Sequence, residues 1–273
     1  MNDQEIGYLK EMAKKIRIDI VEMLCAAGSG HSGGSLSIAD VFAYLYFSNK
    51  FKLGPEYLGI KDRDRVVLSK GHACPVLYAS LAEKGYFDKS HLLTLRKYGS
   101  ILQGHPDMKK TPGVEITTGS LGQGLSCAVG MALGAKLDNL NCRIFAIVGD
   151  GECDEGQIWE AAMAAAHYKL DNLTVILDKN GLQIDGFTKD VMNTEPMADK
   201  WKSFGWEVIE IDGHDFNQID FAISKSYQIK QKPFCIIANT IKGKGVSFME
   251  NQCDWHGKTP SPEEKERALA DLN

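Results

Sequence analysis

Five short apolar runs, each halted by small and polar residues, limit what this chain can fold into. Arg65–Leu68 leads into Ser69-Lys70-Gly71-His72-Ala73, Ile144–Val148 into Gly149-Asp150-Gly151, and Leu173–Leu177 into Asp178-Lys179-Asn180-Gly181. Trp206–Ile211 stops at Asp212-Gly213-His214, and Phe234–Ala238 ends the series. Runs this short and this rich in β-branched residues predict strands. The stretches between them carry helical rhythm. Residues 3–26 place Ile6, Leu9, Met12, Ala13, Ile16, Ile20, Met23 and Leu24 at three- and four-residue steps, and the pattern stops at Gly28-Ser29-Gly30. Ser37–Phe47, Gly122–Leu140 and Gln157–Tyr168 predict further helices, and Ser261-Pro262-Glu263-Glu264 predicts a capping box opening a last one. Strands alternating with helices predict an α/β fold, a parallel sheet sandwiched between helices. No repeat, low-complexity linker or boundary interrupts the pattern, so residues 1–273 read as a single domain.

In open parallel sheets, ligands bind beyond the carboxyl ends of the strands. The motifs at 69–73, 149–151 and 178–181 are therefore expected to converge on one site. Asp150 offers one carboxylate, and Asn180, thirty residues later, a neutral amide oxygen. That is a poor cage for a hard divalent cation, because Mg²⁺ takes about six oxygens and usually draws several from water and phosphates. A bound diphosphate would make good the deficit. The glycines beside Asp150 allow close backbone approach, and a helix from about Gly156 could present free N–H groups to a phosphate. The rival account of a lone Gly-Asp-Gly is a plain strand-to-helix turn; the matching Asn180 at the next strand end tells against it.

Thr117-Thr118-Gly119-Ser120-Leu121-Gly122-Gln123-Gly124 is a second glycine-rich loop. It lacks the Gly-Lys-Ser/Thr of a Walker A and the spacing of a dinucleotide fingerprint. It reads equally well as a helix-start turn. Of seven histidines, His31, His72, His105 and His256 sit beside glycine in loops. None has the spacing of a zinc helix, whereas four such side chains suit a polyol substrate whose hydroxyls need donors and a proton acceptor near neutral pH. His91, His167 and His214 read as surface, helix and turn residues. Lys242 reads either as a solvated charge or as a ligand contact.

Composition excludes other classes. The net charge of −5 gives no reason for nucleic-acid binding, and no apolar run approaches a membrane span. The polar start Met1-Asn2-Asp3-Gln4-Glu5 argues against a secretory signal. Seven cysteines without a CxxC pair suit reduced thiols in a cytoplasmic protein.

A Gly-Asp-Gly followed some thirty residues later by Asn resembles the thiamine diphosphate motif, and from His31 to His256 the chain resembles the N-terminal section of a transketolase. That resemblance implies a thiamine diphosphate-binding fold of the diphosphate-binding type. Asp150, Asn180 and the Leu182 carbonyl would hold Mg²⁺ (or Ca²⁺ or Mn²⁺). Gly119, Ser120, Leu121, Gly151, Glu152, Asn180, His72, Lys242 and His256 would contact the cofactor. His31 and His256 would flank the reacting carbonyl and C3 hydroxyl, and His105 the C1 hydroxyl. Glu155 and Glu160 would form a carboxylate relay across a subunit interface, though Glu160 reads equally as a helix-surface residue. The implied reaction moves a two-carbon ketol unit from a ketose phosphate to an aldose phosphate. In the family, the glutamate that activates the pyrimidine and the arginines that hold the sugar phosphate lie on further domains, which are expected to be on a partner chain. This chain is therefore expected to work with a C-terminal transketolase subunit, in a self-associating heteromer, a heterotetramer. The alternatives are a subunit of another thiamine enzyme, similar to 1-deoxyxylulose-5-phosphate synthase or a 2-oxo acid dehydrogenase α subunit, and a non-catalytic cofactor-binding module.

Overall fold

The computed structural model describes all 273 residues. The five apolar runs form β1 (Arg65–Leu68), β2 (Ile144–Gly149), β3 (Leu173–Lys179), β4 (Glu207–Asp212) and β5 (Phe234–Asn239). They make one parallel sheet in the order β1-β2-β3-β5-β4. Ten helices accompany it: α1 (Asp3–Ala27), α2 (Gly33–Leu36), α3 (Ala39–Phe47), α4 (Cys74–Glu83), α5 (Gln123–Leu137), α6 (Gly156–His167), α7 (Thr188–Val191), α8 (Met197–Ser203), α9 (Phe216–Ser226) and α10 (Pro262–Leu272).

Successive strand residues point to opposite faces, and the sheet is packed on both. Phe145 and Ile147 join a core with α1, α3, α4 and α9, whereas Ile144, Ala146 and Val148 join a second core with α5, α6 and α8. The chain steps in one direction through β1, β2 and β3, then passes beyond β5 to the edge strand β4 and returns. That reversal carries α9 to the face opposite α5 and α6. Register levels the strand ends, since Gly149 pairs with Asp178 and Lys179 with Asn239. The polar residues that follow each strand therefore emerge along one edge.

Local rules account for the helix ends. Asn2 and Glu5 cap α1 reciprocally, and Gly28 ends it in the left-handed region at φ 64°. Ser261 and Glu264 form the expected capping box at α10. The buried helix expected over Ser37–Phe47 forms as α3 and begins two residues later, at Ala39. Ile38, at φ −101° and ψ 7°, separates α2 from α3, and the Ser37 hydroxyl reaches Asp178 Oδ2 at 2.6 Å. Five helices escaped the sequence reading: the short α2, α7 and α8, and the longer α4 and α9. α4 is apolar on every side and buried almost throughout. α9 shows Phe216, Ile219, Ala222 and Ile223 at helical steps behind an Asp215 cap, a signal that was available. No helix is long and apolar enough to cross a membrane.

Candidate functional site

Three loops are knitted together at the carboxyl edge of the sheet. Glu152 is buried, and its carboxylate accepts hydrogen bonds from Ser69 Oγ (2.5 Å), Gly122 N–H (2.9 Å) and Gly149 N–H (3.0 Å). The crossings leave no room for side chains. A Cβ on Gly71 would lie 2.7 Å from the Gly119 nitrogen, and one on Gly124 would lie 2.5 Å from the Ser69 Cα. Glu152 lines the cavity, but its carboxylate faces the loops, so it serves as a strut rather than an open ligand.

The cavity has a volume of about 100 Å³ and is lined by Lys70, His72, Asp150, Asn180, Lys242 and His256 among others. Leu121, Gly151 and Leu182 also face it. Asp150 Oδ1 accepts from Gly151 N–H (2.8 Å) and Oδ2 from Gly181 N–H (2.6 Å), beside Asn180. The Asn180 amide oxygen accepts Leu182 N–H at 3.1 Å, and the Leu182 carbonyl accepts from Lys242 Nζ at 3.2 Å. Burial, then the neighbouring Asp178 carboxylate, pushes Asp150 up to about 6. This is a negative charge short of compensation. No group of three or more His, Cys, Asp or Glu side chains could hold a metal unaided. One buried carboxylate, an amide oxygen and a carbonyl therefore fit a hard cation that brings oxygens from a phosphate with it.

Sequence reasoning passed over a fully buried ion pair. Asp178 is fully buried and accepts from Lys70 Nζ (2.5 Å), Ser37 Oγ (2.6 Å), Asn180 Nδ2 (3.1 Å) and Thr240 Oγ1. Lys70 also donates to the Gly34 carbonyl at 2.7 Å. Burial opposes the Asp178 charge, but Lys70 and the surrounding donors outweigh it and hold the carboxyl low. Asp178 and Lys70 lay inside motifs already singled out. Charged residues at the ends of buried strands were the available signal.

The four loop histidines converge. Ring centroids lie 5.2 Å apart for His31 and His72, 5.4 Å for His31 and His256, 5.2 Å for His72 and His256, and 6.4 Å for His31 and His105. Burial, helped by Arg96, His105 and Lys242, lowers His31 to about 4. Burial, helped by Lys242 and His31, lowers His256 to about 4 as well. Burial and Lys70 press His72 well below its ordinary value, and burial and Arg96 lower His105. All four rings are thus neutral at neutral pH. His31 Nδ1 is buried without a hydrogen-bond partner. Lys242 lies 3.1 Å from His256 Nδ1; burial, then Lys70, bring it down to about 8 against the pull of Asp150.

The remaining candidates are more scattered. Gly119 backs onto the His105 ring, and Ser120 is exposed and outside the cavity lining. Glu155 is the exposed N-cap residue of α6, and Glu160 is exposed on that helix. His214 does lie in a turn, but its ring bridges Asp40 and the Ile241 N–H, a role that its spacing did not reveal.

Comparison with known proteins bears on the same site. The family described as "Transketolase, thiamine diphosphate binding domain" matches residues 9–269. The chain is 48% identical over 272 residues to the 6-deoxy-6-sulfo-D-fructose transketolase subunit of Clostridium sp. (strain MSTE9), covering 100% of this chain and 98% of that protein. It is 42% identical over 269 residues to an apulose-4-phosphate transketolase subunit of Phocaeicola vulgatus, covering 98% and 95%. Transketolase of Campylobacter jejuni superposes with a TM-score of 0.92 at 34% identity, over 100% of this chain but 43% of that one.

Proposed function

Because the chain belongs to the transketolase family, through its thiamine diphosphate-binding domain, we propose that it is the diphosphate-holding subunit of a split transketolase. The observation that carries this reading is the meeting of Asp150, Asn180 and Leu182 with Lys70, Lys242, His72 and His256 around one cavity, with the His31 ring packed beside both histidines. Relatives matched over nearly their whole length are themselves named as transketolase subunits, which supports a separate C-terminal partner.

Asp150, Asn180 and the Leu182 carbonyl would hold Mg²⁺, or Ca²⁺ or Mn²⁺ in its place, and the metal would tie the diphosphate oxygens to this edge of the sheet. Lys242, His72 and the loops at Gly119–Leu121 and Gly151 would contact the rest of the cofactor. Thiamine diphosphate, when bound, supplies the nucleophilic carbon that allows a ketose to be opened between C2 and C3. This chain's share is proton and hydrogen-bond work. His31 and His256, kept neutral by burial, donate to the carbonyl oxygen and take up the C3 hydroxyl proton at a free ring nitrogen. His105, at the exposed side of the cluster, orients the C1 hydroxyl. The donor is a ketose with an anionic tail. One relative is named for a sulfonated fructose and another for a sugar phosphate.

The test is reconstitution. The purified chain with Mg²⁺, thiamine diphosphate and a ketose phosphate is expected to be inactive alone and to transfer two carbons to an aldose once a C-terminal subunit is added. Robust turnover by the chain alone would overturn the split site. A His31→Ala variant is expected to lower kcat in the complex by about 10²–10⁴-fold, the range of a general acid–base group. Unchanged kcat would remove His31 from the mechanism.

A further inference from the structure

His214 follows β4 in Asp212-Gly213-His214-Asp215, and nothing in the proposed chemistry uses it. Its Nδ1 lies 2.7 Å from Asp40 Oδ2 on α3, and its Nε2 accepts the Ile241 N–H at 3.0 Å. A ring nitrogen that accepts carries no proton, so the proton sits on Nδ1 and is donated to Asp40. Asp40 is itself gripped by both Arg17 nitrogens, at 3.1 and 2.6 Å. Burial disfavours the Asp40 charge, but the Arg17 guanidinium outweighs burial and brings the carboxyl to about 2. The orienting acceptor is therefore ionised at neutral pH, and the ring is fixed at both ends.

Ile241 lies just past β5, where the ladder no longer takes its N–H, and it immediately precedes Lys242. We propose that His214 is a positioning residue: the chain Arg17–Asp40–His214–Ile241 fixes the backbone from which Lys242 reaches the Leu182 carbonyl and His256, and so sets the grip on the diphosphate. Lysine has a flexible four-carbon stem, so the place of its ammonium depends on the anchoring of its Cα and the walls around it. The walls are the cavity. His214 anchors the N-terminal side of Lys242, while the Asn251 N–H on the Lys242 carbonyl and the Gly243 N–H on the Gly33 carbonyl hold the C-terminal side. This inference rests on the diphosphate reading of the cavity.

A residue that merely braces the loop would change stability and leave its effect on ligand affinity independent of Lys242. The two roles separate in a double-mutant cycle with Mg²⁺ and inorganic pyrophosphate as probe, titrated calorimetrically into the whole chain, with unfolding midpoints measured alongside. His214→Phe removes both hydrogen bonds at similar volume. It is expected to weaken binding about tenfold, and about twofold or less in a Lys242→Met background, because coupled residues are not additive. His214→Gln, which keeps an acceptor for Ile241, is expected to recover most of the loss. Equal effects in both backgrounds, an unaltered Kd in folded His214→Phe, or a Lys242→Met chain that binds like the parent would each overturn the proposal. If the phenylalanine variant does not fold, His214→Asn, too short to bridge both partners, enters the same cycle under the same criteria. No binding by the parent chain would overturn the diphosphate reading itself, and this inference with it.

Discussion

His31 and Asp150 answer acid in opposite ways. His31 titrates near 6.5 when unfolded and at about 4 when folded. As pH falls through 6.5 the unfolded chain takes the proton first, so this contribution to stability is complete above 6.5 and lost progressively down to about 4. Asp150 moves from 3.8 up to about 6. Its folded form takes the proton first, so its contribution is present below 3.8 and lost as pH rises through about 6. Above that pH the ionised carboxylate destabilises the free chain, and the proposed divalent cation would relieve it. Mg²⁺ with pyrophosphate is therefore expected to raise the thermal midpoint more at pH 7.5 than at pH 5. Asp150→Asn should abolish the rise at both, and an equal rise in the variant would separate Asp150 from the metal. For His31→Gln, urea midpoints at pH 7 and pH 4.5 should lie closer together than in the parent; an unchanged gap would show that His31 is not the group being titrated. Asp150, Asn180 and the four histidines were legible in the sequence because glycine neighbours and strand ends mark them. Asp178 and Lys70 were marked by the same strand ends, but their pairing was not, since it spans β1 and β3 across the intervening β2.

Between elements, the site depends on three loops that meet with almost no clearance. Glu152 joins them through three accepted hydrogen bonds, two on Oε1 and one on Oε2. In Glu152→Gln the amide nitrogen cannot accept, so at least one buried donor among Ser69, Gly122 and Gly149 is left without a partner. The expected cost is about 1–3 kcal/mol, read from denaturant midpoints, and an unchanged midpoint would mean that the loops hold without the strut. Gly71→Ala forces a methyl against the Thr118–Gly119 backbone, with an expected cost of about 1–3 kcal/mol from overpacking. It should also weaken pyrophosphate binding, because His72 follows on the displaced loop. Strand positions were legible to within about two residues because apolar runs bounded by glycine have few other uses in an α/β chain. α4 was not, because a helix buried on all sides has no polar face to mark its period. The meeting of the loops at Gly71 and Gly124 is likewise invisible in sequence, where those glycines look like any others.

At the scale of the whole molecule, the grip on the cofactor is expected to be divided. This chain spans 43% of the Campylobacter jejuni transketolase that it matches, yet 98% of the Clostridium protein. If the diphosphate is held here and the pyrimidine by a partner, cofactor binding and association of the two chains share one coupling free energy, and linkage makes them reciprocal. Thiamine diphosphate should then tighten association of the chain with its C-terminal partner by the same factor by which that partner tightens the cofactor, typically about 5–150-fold. Inorganic pyrophosphate, which occupies this chain's cavity but offers the partner no pyrimidine, should tighten association far less. Sedimentation or surface-binding measurements of the Kd between the two chains with no ligand, with pyrophosphate and with thiamine diphosphate, each with Mg²⁺, decide the matter. A thiamine diphosphate effect no larger than that of pyrophosphate would mean that the pyrimidine is not shared across the interface. The carboxyl edge of this sheet would then be a self-sufficient cofactor site rather than one half of a divided one.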